Sequence, residues 1–530
     1  MPKVLLAAVP LLLVSSPALA YDGEVHSFLV QAALGGAGLG EAAPPIPAEA
    51  LVSIRAEIDR WARTSSDSAL RAEWLARYPT PERFDAWAFK ELLLFDPRAD
   101  VFGIDRVPSS IPTLLDAVTV GAQQPDEDRR NRERIAFDLD RKPVVDARGG
   151  PVPADPAILN MGKLGALSSQ AHAHYGLAEL ELSDDPEVLK AEPRRFAIRS
   201  GYSPGPVLTL AAEMAQQHLD LALIASLMSQ PNPTLAWMLT GQAFHYVQDV
   251  TNQIHTVQVG IYDFFVDATL ERYSLALKTG GGYFGELRTM PSIGIDILTN
   301  HHVISEQLVR RRLLDTLAGK VTSEGAKLVE APKKDEAEFA RALDEALGRP
   351  GADAGSFAGI LTRATIEVSS REGGPVYSAV RSLTDPRFRQ AGVLYSEKSD
   401  DPDSALAKKL DQSAYDALFA LGQRAFQRAG TVMRAWVRVE KEQMGVPAES
   451  RAQALDVVIE RLVRRQLRLL GEAESRRTEF LGSPQAKSAG PERMPIALAV
   501  ESAVVGGAAW LVLRRLRRKR ASTDHVTGRS

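Results

Sequence analysis

FHYVQDVTNQIH, residues 244–255, sets His245, Asp249 and His255 at fixed offsets along the chain. On a helix, residues four apart stack on one face, so the His245 imidazole and the Asp249 carboxylate can hold one borderline cation such as zinc. His255 lies further on, and on an unbroken helix it would sit roughly 15 Å from His245 along the axis, too far to share that ion. The stretch therefore calls for two or more metals, with Asp249 well placed to bridge. Upstream, Pro231 and Pro233 break the chain and start this helix at a position where proline is tolerated.

Outward from this stretch the periodicity is helical. Residues 48–64, 81–94, 206–228, 412–444 and 448–480 all read as helices, and 320–349 is a charged, Ala-rich helical pattern. A Pro-rich loop covers 42–47, a Gly/Ala/Asp breaker covers 350–356, and 371–403 reads as loop-rich, with Gly373, Gly374, Pro375 and Pro402 as turn signals. No repeat and no alternating strand run of useful length is present, so the expected class is all-α. His218, inside 206–228, reads as an ordinary helix-face histidine.

At His245, Tyr246, Asp249 and His255 the chain resembles the zinc-dependent phospholipase C and S1/P1 nuclease superfamily, whose signature is His-x3-Asp-x5-His. Gln248 stands where glycine is usual, Asn252 where glutamine is usual, and Gln253 where proline usually bends the chain before the last histidine. The resemblance implies a multi-helix domain holding three zinc ions. One would take Asp126, His174, His245 and Asp249, a neighbouring one Tyr21, His26 and Asp249, and a third His255, His302 and Glu306. Asp126 and Asp249 are the expected catalytic carboxylates.

The segments that supply these ligands differ in how well they fit. Tyr21-x4-His26 has the spacing of the Trp-x4-His start of P1-type nucleases, in which the first mature residue binds zinc through its own backbone atoms. Asp126 lies in a polar stretch with Asp128, and Asp155 is a third choice for the same ligand. His174, followed by Tyr175, fits better than His172. His302 and Glu306 are four apart on a helix, with His301 the weaker candidate. The separation of His255 from His302 is longer than in phospholipases and nucleases of this type. The insert carries an aromatic cluster at 261–265 and a glycine run at 280–284, which read as core or as the hinge of a lid.

The two ends add a location. Residues 1–20 have Lys3, an apolar run and a small-residue Ala18-Leu19-Ala20 ending, the outline of a secretory signal peptide. Residues 494–513 carry one charge, Glu501, and run into a basic cluster at 514–520, the outline of a membrane span with a cytoplasmic tail, an outline that a sorting tail later cut off would share. The expected organisation is a signal peptide (1–20), a metal-binding catalytic domain (21–320), a helical extension (321–493), a transmembrane helix (494–513) and a basic cytoplasmic tail (514–530). The body would lie on the periplasmic or extracellular side. With no cysteine, disulfides are excluded and stability must come from burial, to which bound metal would add. The formal net charge is −4 and the basic cluster belongs to the tail, so the body offers no broad basic surface for long nucleic acid.

Together these readings point to an exported, membrane-anchored phosphodiesterase. By the resemblance, two metals bridged by Asp249 would hold a water, lower its pKa and yield a hydroxide for in-line attack on phosphorus. Glu306, the absence of cysteine and the anchor favour a phospholipid substrate. The Tyr21-x4-His26 spacing favours a single-strand nuclease. A third reading is a catalytically silent, metal-stabilised surface protein whose second half binds a partner.

Overall fold

The helix that carries the signature runs Pro233–Thr251, and every residue from Thr234 to Thr251 is buried. A helix with no solvent face must be packed on all sides. The computed structural model describes residues 23–47, 50–77, 111–127, 174, 176, 211–256, 290–317, 327–330, 337, 341, 356–389, 395, 406–407 and 409–482. Its α-helices are α1 (Gly23–Leu34), α2 (Ala50–Thr64), α3 (Ser68–Arg77), α4 (Leu114–Gln123), α5 (Ala211–Leu227), α6 (Pro233–Thr251), α7 (Met290–Leu317), α8 (Phe357–Ser370), α9 (Gly373–Leu383), α10 (Gln412–Met444) and α11 (Arg451–Gly482). Among the described residues there is no β-strand, only the isolated bridges of Ala42 with Thr113 and Thr384 with Leu406. The protein is all-α.

Local chemistry starts and stops α6. The Asn232 side chain accepts a hydrogen bond from the Leu235 N–H at 2.7 Å, and Pro233 fills the first turn, where its missing donor costs nothing. At the other end Asn252 turns extended and caps a short 3-10 helix, Gln253–His255. Around α6 stand α4, α5, α8 and α10. Trp436 of α10 meets Phe244 of α6 at 5.3 Å and Phe357 of α8 at 5.4 Å, both edge to face, so three helices share one aromatic joint.

Helices beyond residue 320 therefore build the wall of the signature helix, and their apolar residues belong to the same core as those of α1 to α7. The last of them, α11, is pinned to α5 by charge. Buried Asp220 accepts from Arg461 Nη2 at 2.6 Å and from Arg465 Nη1, while Glu213 pairs with Arg363, Arg465 and Arg468. An ion pair this buried costs several kcal/mol to break on one side, roughly 3–5, because the survivor keeps no compensation.

Two expectations need correction. The 371–403 stretch is not all loop, because α9 occupies Gly373–Leu383. The turn signals Gly373, Gly374 and Pro375 fall in its first turn, where proline is allowed, and Val376, Tyr377, Val380 and Leu383 then bury one face. The helix expected over 448–480 begins at Arg451, after a 3-10 turn at Ala448–Ser450. No helix among the described residues is long and apolar enough to cross a membrane. The segments 1–20, 81–94, 257–289, 494–513 and 514–530 lie outside the described residues, as does most of 320–349.

Candidate metal centre

Two glycines set the site. A Cβ on Gly121 of α4 would lie 2.0 Å from the carbonyl oxygen of Met238, and one on Gly241 of α6 would lie 2.2 Å from that of Val118. Only with both absent can the helices cross this closely. One turn after Gly241 comes His245, and one residue after Gly121 comes Ala122, whose carbonyl oxygen accepts from His245 Nδ1–H at 2.8 Å. The tautomer of His245 is thereby fixed, and its Nε2 lone pair points inward.

Three more side chains meet it there. Asp249, one turn further along α6, puts Oδ2 3.2 Å from His245 Nε2. His174 brings Nδ1 to 2.6 Å from Asp249 Oδ2 and 3.0 Å from His245 Nε2. His26, from α1, stacks its ring on His245 with centroids 4.1 Å apart and turns Nε2 towards Asp249 Oδ1 at 3.5 Å. Its other nitrogen, Nδ1, meets Gln248 Oε1. Asp249 thus divides its two oxygens, one to His26 and the other to His174 and His245.

A second group lies beyond the bend at Asn252. His255 Nδ1–H donates to the carbonyl oxygen of His174 at 3.3 Å, which leaves Nε2 facing Glu306 Oε1 at 3.1 Å. His302, one turn before Glu306 on α7, sets Nε2 3.4 Å from Glu306 Oε2. Asn252 takes over the bend that a proline would make: its Oδ1 caps the 3-10 turn, and its Nδ2 lies 3.5 Å from Glu306 Oε1. Gln253 anchors the same turn through Nε2, which donates to Glu372 Oε2 and to the Leu421 carbonyl. The two groups touch through residue 174, whose side chain serves the first and whose backbone serves the second.

The electrostatics of both groups fit cations. Burial pushes His26 well below the usual imidazole value of 6.5, with the neighbouring His245 adding to this. Burial likewise lowers His174 and His255, and takes His302 down to about 4. For Asp249, burial alone would raise the pKa, but attraction from His245 and His174 outweighs it and holds the group well below the usual carboxylate value. At His26, His245, His255 and His302 an imidazole Nε2 stands 3.1–3.5 Å from a carboxylate oxygen, a set of nitrogen and oxygen donors that suits a borderline cation. Asp249 Oδ1 and His174 Nε2 are buried with no hydrogen-bond partner. The ligand atoms of His26, His245 and Asp249 lie within 4.8 Å of one another, as do those of His255, His302 and Glu306.

The structure thus brings together His26, His174, His245 and Asp249 in one group and His255, His302 and Glu306 in the other. Asp126 sits on the 3-10 turn Gln124–Glu127, which packs against α6 through a Gln242 to Gln124 hydrogen bond of 2.7 Å; its side chain lies outside the described residues. Tyr21, Asp128, Asp155 and His172 lie outside them as well. His218 is a buried helix histidine, its Nδ1–H donating to the Met214 carbonyl at 2.8 Å. His301 is buried beside the second group without joining it. Sequence reasoning missed Gln248 and Glu372 as partners of this site. Gln248 stood out only as a departure from a pattern, and Glu372 lies in a stretch read as loop.

No protein-family model, curated protein or solved structure matches this chain.

Proposed function

We propose that this protein is a zinc-dependent phosphodiester hydrolase, similar to the phospholipase C and S1/P1 nuclease superfamily. In this reading it is exported and held at the membrane by residues 494–513. The observation that supports it most is the convergence of two buried imidazole and carboxylate groups from α1, residue 174, α6, the 3-10 turn after it and α7. Zinc bound there would supply Lewis acidity towards phosphoryl oxygens and an activated water. Asp249 would bridge, since its two oxygens already serve different histidines. Tyr21 would complete the His26 side through its backbone, and Asp126 the His245 side, to give three ions.

The protein's own residues then have clear tasks. The Ala122 carbonyl holds the His245 imidazole in the tautomer that offers Nε2. The walls from α5, α8 and α10 keep bulk water from the far side of α6, which strengthens every charge interaction inside. No serine or cysteine nucleophile is required.

For the substrate we favour the head-group phosphodiester of a phospholipid, because the acidic partner on the second group is Glu306 and the chain carries a membrane-type segment. The alternative, a single-strand nuclease, is favoured by Tyr21-x4-His26. A silent, metal-stabilised binding protein is the third reading. The deciding experiment is hydrolysis by the purified chain of phosphatidylcholine vesicles and of single-stranded DNA, with and without chelator. Chelator-sensitive turnover of one substrate that disappears in Asp249→Asn establishes the enzyme and its class. Zinc bound with no turnover of either moves the reading to the binding protein.

A further inference from the structure

Gln248 has no exposed surface and stands one residue before Asp249. Its two ends meet different partners. Oε1 meets His26 Nδ1, and Nε2 reaches Met433 Sδ of α10 at 3.1 Å. A thioether sulfur can accept a hydrogen bond but has nothing to donate, so the amide nitrogen belongs on that side and the amide oxygen on the other. The oxygen can only accept. His26 must therefore carry its proton on Nδ1 and keep a lone pair on Nε2, the atom that looks at Asp249 Oδ1.

From this geometry we infer that Gln248 is a positioning residue for the first metal group, holding His26 in its ligating tautomer, and that Met433 keeps Gln248 turned the right way. The inference rests on the metal reading above. It gives the helices after residue 320 a direct share in the site, because α10 also steadies α1 through the edge contact of Phe28 with Phe426 at 6.3 Å. Gln248 meets His26 Nδ1 with a side-chain oxygen, whereas His245 and His255 lean on carbonyl groups. The loss of such an outer partner typically weakens metal binding on the order of 10–100-fold.

The test compares the full chain with Gln248→Leu and Gln248→Glu by cobalt titration, following the visible absorption of bound cobalt for each group. Gln248→Leu is expected to lose on the order of 10–100-fold in affinity at the first group and nothing at the second. Gln248→Glu keeps an acceptor towards His26 and is expected to bind at least as tightly as the parent. A mere packing role gives the opposite ranking, with leucine tolerated in the apolar interior and a buried glutamate not. Unchanged cobalt binding in Gln248→Leu overturns the inference. A second measurement needs no variant: nitrogen-15 shifts of the metal-free parent should show His26 protonated at Nδ1 and bare at Nε2, and the reverse tautomer overturns the assignment. A parent that takes up no cobalt at either group overturns the metal reading instead, and the tautomer then decides the role of Gln248 alone.

Discussion

Gly121 and Gly241 face each other where α4 crosses α6, so close that a Cβ on Gly241 would lie 2.9 Å from the Gly121 Cα and nearer still to the carbonyl oxygen of Val118. The atoms in the way are backbone, which cannot swing aside. The crossing sets the distance from Ala122 to His245, so packing and the candidate metal site depend on the same contact.

Gly241→Ala is therefore expected to cost about 3 kcal/mol of stability through overpacking and to weaken metal binding at the first group. Thermal unfolding with and without zinc checks both. An alanine variant with parental stability would mean that the helices do not cross this closely.

The two groups should be separable by mutation. Asp249→Asn should release the ion or ions of the first group, and Glu306→Gln that of the second. Each should lose more than the roughly 10–100-fold that an outer partner is worth. Zinc content per chain is the readout, with each variant retaining the other group. Because residue 174 serves both groups, a modest loss in the second is also expected in Asp249→Asn.

Acid should destabilise the metal-free protein before its carboxylates protonate. His302 titrates at about 4 in the folded chain against 6.5 for a free imidazole, and His26, His174 and His255 are lowered too. Between those values the unfolded chain binds protons that the folded chain refuses, so stability is full above 6.5 and falls as the pH drops towards 4. Denaturant melts at several pH values read this directly, and a flat profile across that window would contradict it. Saturating zinc should deepen the protection above 6.5, because it binds only the deprotonated ligands.

Glu440 slopes the other way. It is buried against Thr240, and burial raises it to about 8 from 4.5. The folded chain keeps this proton where the unfolded chain releases it, so the contribution is present below 4.5 and lost as pH rises through 8. Glu440→Gln removes the titration. The stability gap between variant and parent should widen in favour of glutamine by about 3–4 kcal/mol between pH 5 and pH 8. A gap that stays constant with pH would show that Glu440 does not hold its proton.

The helical pairs of the candidate site were legible because their spacing is local. His245 with Asp249, and His302 with Glu306, each lie one turn apart, and the helix brings each pair together with no help from tertiary structure. The all-α class was legible from periodicity for the same reason. Gln248 and Glu372 were hidden because their roles depend on contacts with distant helices: Gln248 reads as one more polar residue until α1 and α10 close on it. The helix α9 was masked by Gly373, Gly374 and Pro375, which punctuate a loop and open a helix with the same residues. The break after Thr251 that carries His255 towards Glu306 was not visible either, because Asn252 makes it by capping where a proline was the expected signal.

The most direct test of the central claim is anomalous diffraction at the zinc absorption edge from crystals of the protein grown with zinc. The account predicts zinc peaks within bonding distance of Asp249 and of Glu306, with His26, His174 and His245 around the first and His255 and His302 around the second. Crystals with no zinc at either carboxylate, or with zinc only on surface residues, would contradict it.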